Sequence, residues 1–166
     1  ALLWQLLQDD GRDPAALLAR AETLARGSLK GQAQPLARTL AMIGRRHLDE
    51  GNFAEGRNLI AEALPQLTDI DDRNDAGCDE AWAQARQGDK PTEAEFRLRQ
   101  IGDGATVRPI TRALCLLRLA DLEQRGNRAK LAYQSGRDAW AQFQASREAT
   151  PQLGLRIATA MAPLSA

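Results

Sequence analysis

Few residues of this chain could do chemistry, and they are scattered. His47 is the one histidine, placed where a general base or a metal ligand would be sought. Neither Ile43 nor Gly51, four residues to either side, can share a metal with it. It reads as a ring packed on an apolar helix face. The sharpest local feature is the acidic run Asp69, Asp71, Asp72, Asp75, Asp79 and Glu80. Such a density of carboxylates suggests Ca²⁺, but the calcium-loop pattern fails. With Gly77 as its central glycine, Asp72 and Asn74 come first, and Ala76 and Ala83 then fall where oxygen ligands are required. The run reads as a solvated loop leading into a helix whose N-terminus favours negative charge. Cys78 and Cys115 stand far apart and fit neither a close metal pair nor a disulfide-dense scaffold. They are expected to be two buried or half-buried thiols in a reducing compartment. The stretch Gly102-Asp103-Gly104-Ala105-Thr106 has the glycines of a phosphate loop but neither the following Lys nor a preceding strand, so it reads as a linker. No G-x-S-x-G, H-E-x-x-H or Cys-x-x-Cys is present. With no converging constellation, the expectation is a non-catalytic protein with no cofactor and no bound metal.

The chain's balance of residues narrows the classes further. Its 166 residues fit a single domain with a real core, expected here over 1–166 and as part of a longer protein. Acidic and basic residues number 22 each, which argues against a nucleic-acid binder. No apolar run approaches the ~20 residues of a membrane span. Aromatics make up 4%, so Leu, Ala and Ile must do most of the packing. Small alanines suit close helix contacts and do not suit a deep ligand cavity. The expected location is the cytoplasm, or the periplasm if a targeting segment has been removed.

The elements that must carry these residues are helical. Four turn signals recur, at Asp10-Gly11-Arg12, Glu50-Gly51-Asn52, Gln87-Gly88-Asp89 and Arg125-Gly126-Asn127. Their glycines are 40, 37 and 38 residues apart (51 − 11, 88 − 51, 126 − 88). Before Gly51, Leu36, Leu40, Ile43 and His47 mark one helix face. After it, Phe53, Ile60, Ala63, Leu64 and Leu67 mark another. The run from Ile110 to Leu122 is apolar on most sides and predicts the most buried helix. Asp13-Pro14 and Thr150-Pro151 read as caps followed by proline at the first helical position. Thr92-x-x-Glu95 reads as a capping box. No window alternates as a strand would. The pattern predicts an all-α chain of about nine helices, roughly 2–9, 14–26, 35–50, 53–68, 78–87, 93–101, 109–125, 128–147 and 151–162. Linkers are expected near 27–34, 69–77 and 102–108. Trp82 and Trp140 are expected to pack between hairpins, and Trp4 to be exposed.

The stretch from Ala37 to Ile70 resembles a tetratricopeptide repeat. Leu40, Ile43, Gly44 and His47 sit where that family has large, large, small and aromatic residues in its first helix. Gly51 and Phe53 match its turn glycine and following aromatic, and Gly56, Ile60 and Ala63 its second-helix pattern of small, large, small. Arg112 to Phe143 resembles a second copy through Leu119, Ala120, Gly126, Ala132, Gly136 and Ala139. The likeness covers about a third of the chain, with degenerate units around Gly11–Ala25 and Cys78–Ile101. It implies a right-handed superhelical stack of about four antiparallel hairpins, with loops longer than the family's ~34-residue period requires. Asp13-Pro14-Ala15-Ala16-Leu17-Leu18-Ala19, followed by the repeats, resembles helical regulatory regions of bacterial signalling proteins, which often precede a diguanylate cyclase or a transcriptional output domain.

In such a stack the first helices line a concave groove. The resemblance therefore implies a protein or peptide partner bound at Arg38, Met42, Arg45 and Asp49, with Arg38 and Arg45 able to meet an acidic partner. The family's chaperone-tail binders use a Lys/Asn clamp there, and Ala41 and Arg45 stand in its place, so that specialisation is not implied. The alternative on the same scaffold is a sensor for a peptide or small ligand. The oligomeric state is not readable. Gly56 is expected at a tight contact within its hairpin.

Overall fold

Proline opens several of the helices, because its missing N–H is not needed in the first turn. The computed structural model describes residues 14–148 and 150–161. Among these the fold is all-α. Eight α-helices follow in order: α1 Pro14–Ser28, α2 Ala33–Asp49, α3 Phe53–Ala63, α4 Ile70–Arg86, α5 Pro91–Gly102, α6 Pro109–Arg125, α7 Ala129–Ala145 and α8 Pro151–Met161. A short 3-10 turn, Leu64–Gln66, follows α3, where Pro65 interrupts the helical hydrogen bonding. The helix expected over 2–9, the turn at Gly11 and Trp4 lie outside the described residues.

Gly51 and Gly88 lie at φ +85° and +76°, a left-handed conformation that lets a helix end and the chain reverse within three residues at Gly51 and four at Gly88. At the third turn the left-handed position belongs to Asn127, φ 55°, and Gly126 keeps a negative φ. Two local expectations fail. The capping box at Thr92 does not form. The N-cap residue is Lys90 at φ 46° rather than Thr92, and the helix begins at Pro91 rather than at residue 93. The linker expected over 69–77 is helical from Ile70. Asp69 Oδ1 accepts hydrogen bonds from the backbone N–H groups of Asp71 (2.9 Å) and Asp72 (3.2 Å), so it caps α4 two turns earlier than the apolar pattern suggested.

The chain divides into two compact units, 1–76 and 77–166. In the first, Leu18, Ala21 and Ala25 of α1, Leu40, Ile43 and Leu48 of α2, and Leu59, Ile60 and Ala63 of α3 form the core. Helices α2 and α3 cross at two buried glycines. A Cβ on Gly44 would stand 2.8 Å from the Gly56 carbonyl oxygen, and a Cβ on Gly56 2.7 Å from that of Gly44. The two backbones touch, which only hydrogen in place of a side chain allows. His47 is buried on this face as a packed ring, and its Nδ1 has no hydrogen-bond partner among the described residues. Arg26 of α1 reaches Glu62 of α3 with two bonds, 2.7 and 2.8 Å.

In the second unit α6 is buried nearly all round, as its apolar run predicts. Leu116, Leu117, Ala139 and Ile157 cluster with Trp140, Phe143, Leu153 and Met161. The rings of Trp140 and Phe143 stack at 5.4 Å. A buried polar knot sits among these helices. Ser135 donates to Glu123 (2.7 Å), and Arg99 donates to both (3.1 Å each). Cys78 and Cys115 are joined in a disulfide between α4 and α6, with Cα atoms 5.3 Å apart. This corrects the reading of two free thiols. The topology brings together residues 37 apart in sequence, a proximity that spacing alone could not reveal.

Candidate functional site

Residues 38, 42 and 45 recur at intervals of four and three, so they share one stripe of α2. The structure places Arg38, Met42 and Arg45 together along one wall of a partly open groove of about 140 Å³, joined by Ala41. Leu67 and Ala76, both buried, form its floor, and Asp72 and Asp75 of α4 line the opposite wall. Asp49, the last residue of α2, is exposed and is not part of this lining.

Two features of the local sequence build the second wall. Pro65 ends the helical run after α3, and buried Leu67 pins the connection that follows. Asp69 then caps α4, which places Asp71, Asp72 and Asp75 half-buried in the first turns of a helix, where its N-terminal dipole favours carboxylates. Gln34 bridges the walls. Its carbonyl oxygen accepts from the Thr68 N–H (2.8 Å) and its amide donates to Asp72 (3.4 Å). Arg38 Nε binds Asp72, and its Nη2 lies 3.7 Å from Asp69. Arg38 is therefore already engaged by carboxylates of its own chain, and the arginines do not form a uniformly basic strip.

Met42 is the one strongly exposed apolar side chain of the groove, at 60% exposure. It adapts readily to irregular apolar surfaces. The groove thus offers an apolar centre between a basic wall and an acidic wall. The acidic wall was not foreseen. Its signal was an Asp followed two and three residues later by two more, the composition of a helix N-cap and first turn.

The second unit holds a separate charged cluster. Arg118, 3% exposed, pairs with Asp79, 1% exposed, at 3.3 Å. Its guanidinium also lies over the Trp82 ring, 3.7 Å from the centroid. Trp82 Nε1 donates to Asp121 (2.8 Å), which also receives Arg86 (3.3 Å) and Arg125 (3.0 Å). Burial pushes the Arg86 guanidinium below its ordinary value, and the charge of Asp121 offsets part of that shift. Every cation here faces a carboxylate or a ring, which suits a cluster that fixes two helices in register. Among the described residues, no group of three or more His, Cys, Asp or Glu is placed to hold a metal ion, and no helix is long and apolar enough to cross a membrane.

Comparison of the chain with protein-family models, with curated proteins and with solved structures gives no match.

Proposed function

We propose that this chain is a non-catalytic interaction module of the tetratricopeptide kind, which binds a peptide segment of a partner protein in the groove beside Met42. The observation that carries the reading is the groove itself. It collects Arg38, Met42 and Arg45 on one wall, and its apolar centre is open to a partner. The size of the groove favours a peptide over a small ligand. About 140 Å³ accommodates one ring-sized or leucine-sized group, whereas sites for whole small molecules usually run to roughly 300–1,000 Å³. One apolar side chain of the partner fills the centre against Met42, in a lining that also carries Arg45 and Asp75. Arg38 is held by Asp69 and Asp72, so its part is to brace the groove.

The repeat reading is supported by the mutual contact of Gly44 and Gly56, which falls where tetratricopeptide hairpins carry small residues, and by the left-handed turn at Gly51. On this reading the working face is the concave side of a hairpin stack, and Asp49 extends it at the end of α2. The N-terminal likeness to bacterial regulatory regions supports a place beside a signalling output domain, such as a diguanylate cyclase or a transcriptional regulator. The test is a displayed random-peptide library selected against the purified chain. Selected peptides should share an apolar residue flanked by charge, and should lose binding to the Met42→Asp variant while that variant keeps its helical circular dichroism. Peptides that bind Met42→Asp and Arg45→Ala as well as wild type would remove the groove as the binding site.

A further inference from the structure

We propose that the Cys78–Cys115 disulfide is a permanent cross-link, made while the chain folds, and that the protein works in a thiol-oxidising compartment rather than in a reducing cytosol. The argument rests on where the two sulfurs lie. Cys78 projects from α4 and Cys115 from α6, and their Cα separation of 5.3 Å falls within the ~4.4–6.8 Å that a disulfide spans. Both residues are 0% exposed. Thiol–disulfide exchange needs a thiolate to reach one sulfur of the bond, so its rate depends on access. No reductant reaches either sulfur without parting the two helices.

Parting them is opposed at the same level of the fold. Asp79 follows Cys78 directly, and Arg118 lies one helical turn after Cys115. Their buried ion pair joins the same two helices. Trp82, one turn after Cys78, is buried beneath the Arg118 guanidinium. Exposing the bond would break the ion pair and lift the Arg118 guanidinium off the Trp82 ring. A disulfide meant to respond to redox conditions sits at the surface with a thiolate-stabilising neighbourhood. This one is sealed in a core, so it is a structural cross-link.

Making it requires an oxidant. One cysteine, as thiolate, attacks the disulfide of an external thiol–disulfide oxidant and releases one of the oxidant's sulfurs as a thiol. The second cysteine attacks the mixed disulfide, forms the Cys78–Cys115 bond and releases the oxidant's other sulfur. The chain loses two protons and two electrons, and the oxidant leaves as its dithiol. The burial of both sulfurs sets the order, since exchange has to precede the final closure of α4 on α6. Such oxidants operate in secretory and extracytoplasmic compartments, while cytosolic thiols are kept reduced.

Differential alkylation of the full chain, read by intact mass, tests both parts. Cells that make the protein are quenched in acid, the chain is then unfolded in denaturant at mildly alkaline pH, where free thiols ionise, with iodoacetamide present, and its mass is compared with and without prior reduction in denaturant. The expected result is no carbamidomethyl group without reduction and two with it. Purified native protein in dithiothreitol should keep the bond at least about a thousandfold longer than denatured protein, because core elements open only at a cost near that of global unfolding. Two carbamidomethyl groups on the acid-quenched chain would overturn the compartment assignment. Reduction of the native protein as fast as of the denatured chain would overturn permanence and make the bond an accessible switch.

Discussion

Replacing Gly56 with alanine probes the closest contact of the first unit. The new methyl carbon would lie 2.5 Å from Leu48 Cδ2, 2.8 Å from Leu48 Cγ and 2.7 Å from the Gly44 carbonyl oxygen. Carbon–carbon contacts settle near 3.5–4.0 Å, so the two Leu48 approaches are short by at least about 0.7–1 Å, and the approach to the Gly44 oxygen is also well inside van der Waals contact. Leu48 could change rotamer, but it is itself 1% exposed in a packed core. The Gly44 oxygen belongs to backbone, so relieving that contact means moving α3 away from α2 and loosening Ile60 and Leu48 together. Against this, alanine gains about 0.8–1 kcal/mol of helix propensity over glycine. Overpacking costs about 1–3 kcal/mol, and more where backbone must shift. The net expectation for Gly56→Ala is therefore a loss of about 1–2 kcal/mol, and a larger one for Gly56→Leu. Gly27 supplies the control. It also lies in a helix, and a Cβ there meets nothing within 4 Å, so Gly27→Ala should stabilise by up to about 1 kcal/mol. Urea unfolding followed by circular dichroism, with equal slopes required, measures both. If Gly56→Ala is as stable as Gly27→Ala, the two backbones do not touch and the packing described for α2 and α3 is wrong.

The other perturbations act on separate features. Replacing both cysteines with alanine releases a span of 37 residues, for which chain entropy predicts a loss of about 4 kcal/mol, read as a lower urea midpoint than oxidised wild type. An unchanged midpoint would mean that the bond stabilises nothing. Asp79→Ala leaves Arg118 buried without its carboxylate and should cost about 3–5 kcal/mol, whereas Asp79→Leu combined with Arg118→Met should be close to neutral; equal losses would contradict the buried pairing. Hydrogen bonds from Arg26 hold the Glu62 carboxyl below its ordinary value, so the stability it contributes is present above the ordinary Glu range and is lost as pH falls through the depressed value. The pair is exposed, so wild type should exceed Glu62→Gln by less than about 1 kcal/mol near neutrality, and the gap should close with acid and with salt. A gap that widens in acid would reverse the sign of this argument.

Much of the helical frame was legible because its signals are local. Pro109 and the Arg125-Gly126-Asn127 turn bound α6 within the chain itself, and the apolar run between them needed no partner to be recognised. Gly44 and Gly56 were legible as small residues at helical spacing. The start of α4 was not, because its first turns are Asp-rich and carry little apolar periodicity. What makes them helical is the Asp69 cap, together with Arg38 of α2, which meets Asp72 from 34 residues away. The acidic wall of the groove was missed for the same reason. Thr92 was misread because a capping box requires the helix to begin one residue after it, and Pro91 begins it earlier. The disulfide was missed because its two cysteines become neighbours only through the packing of α4 against α6.

Photo-crosslinking tests the central claim most directly, that a partner protein docks at Met42. Benzoylphenylalanine is introduced at position 42 and, in a second variant, at position 55, which is exposed on α3 and takes no part in the groove. Each variant is irradiated in the cells that make the protein. The account predicts a discrete cross-linked species from position 42, suppressed when Arg45→Ala is added, with none from position 55. Identical cross-links from both positions, or a position-42 species indifferent to Arg45→Ala, would contradict it.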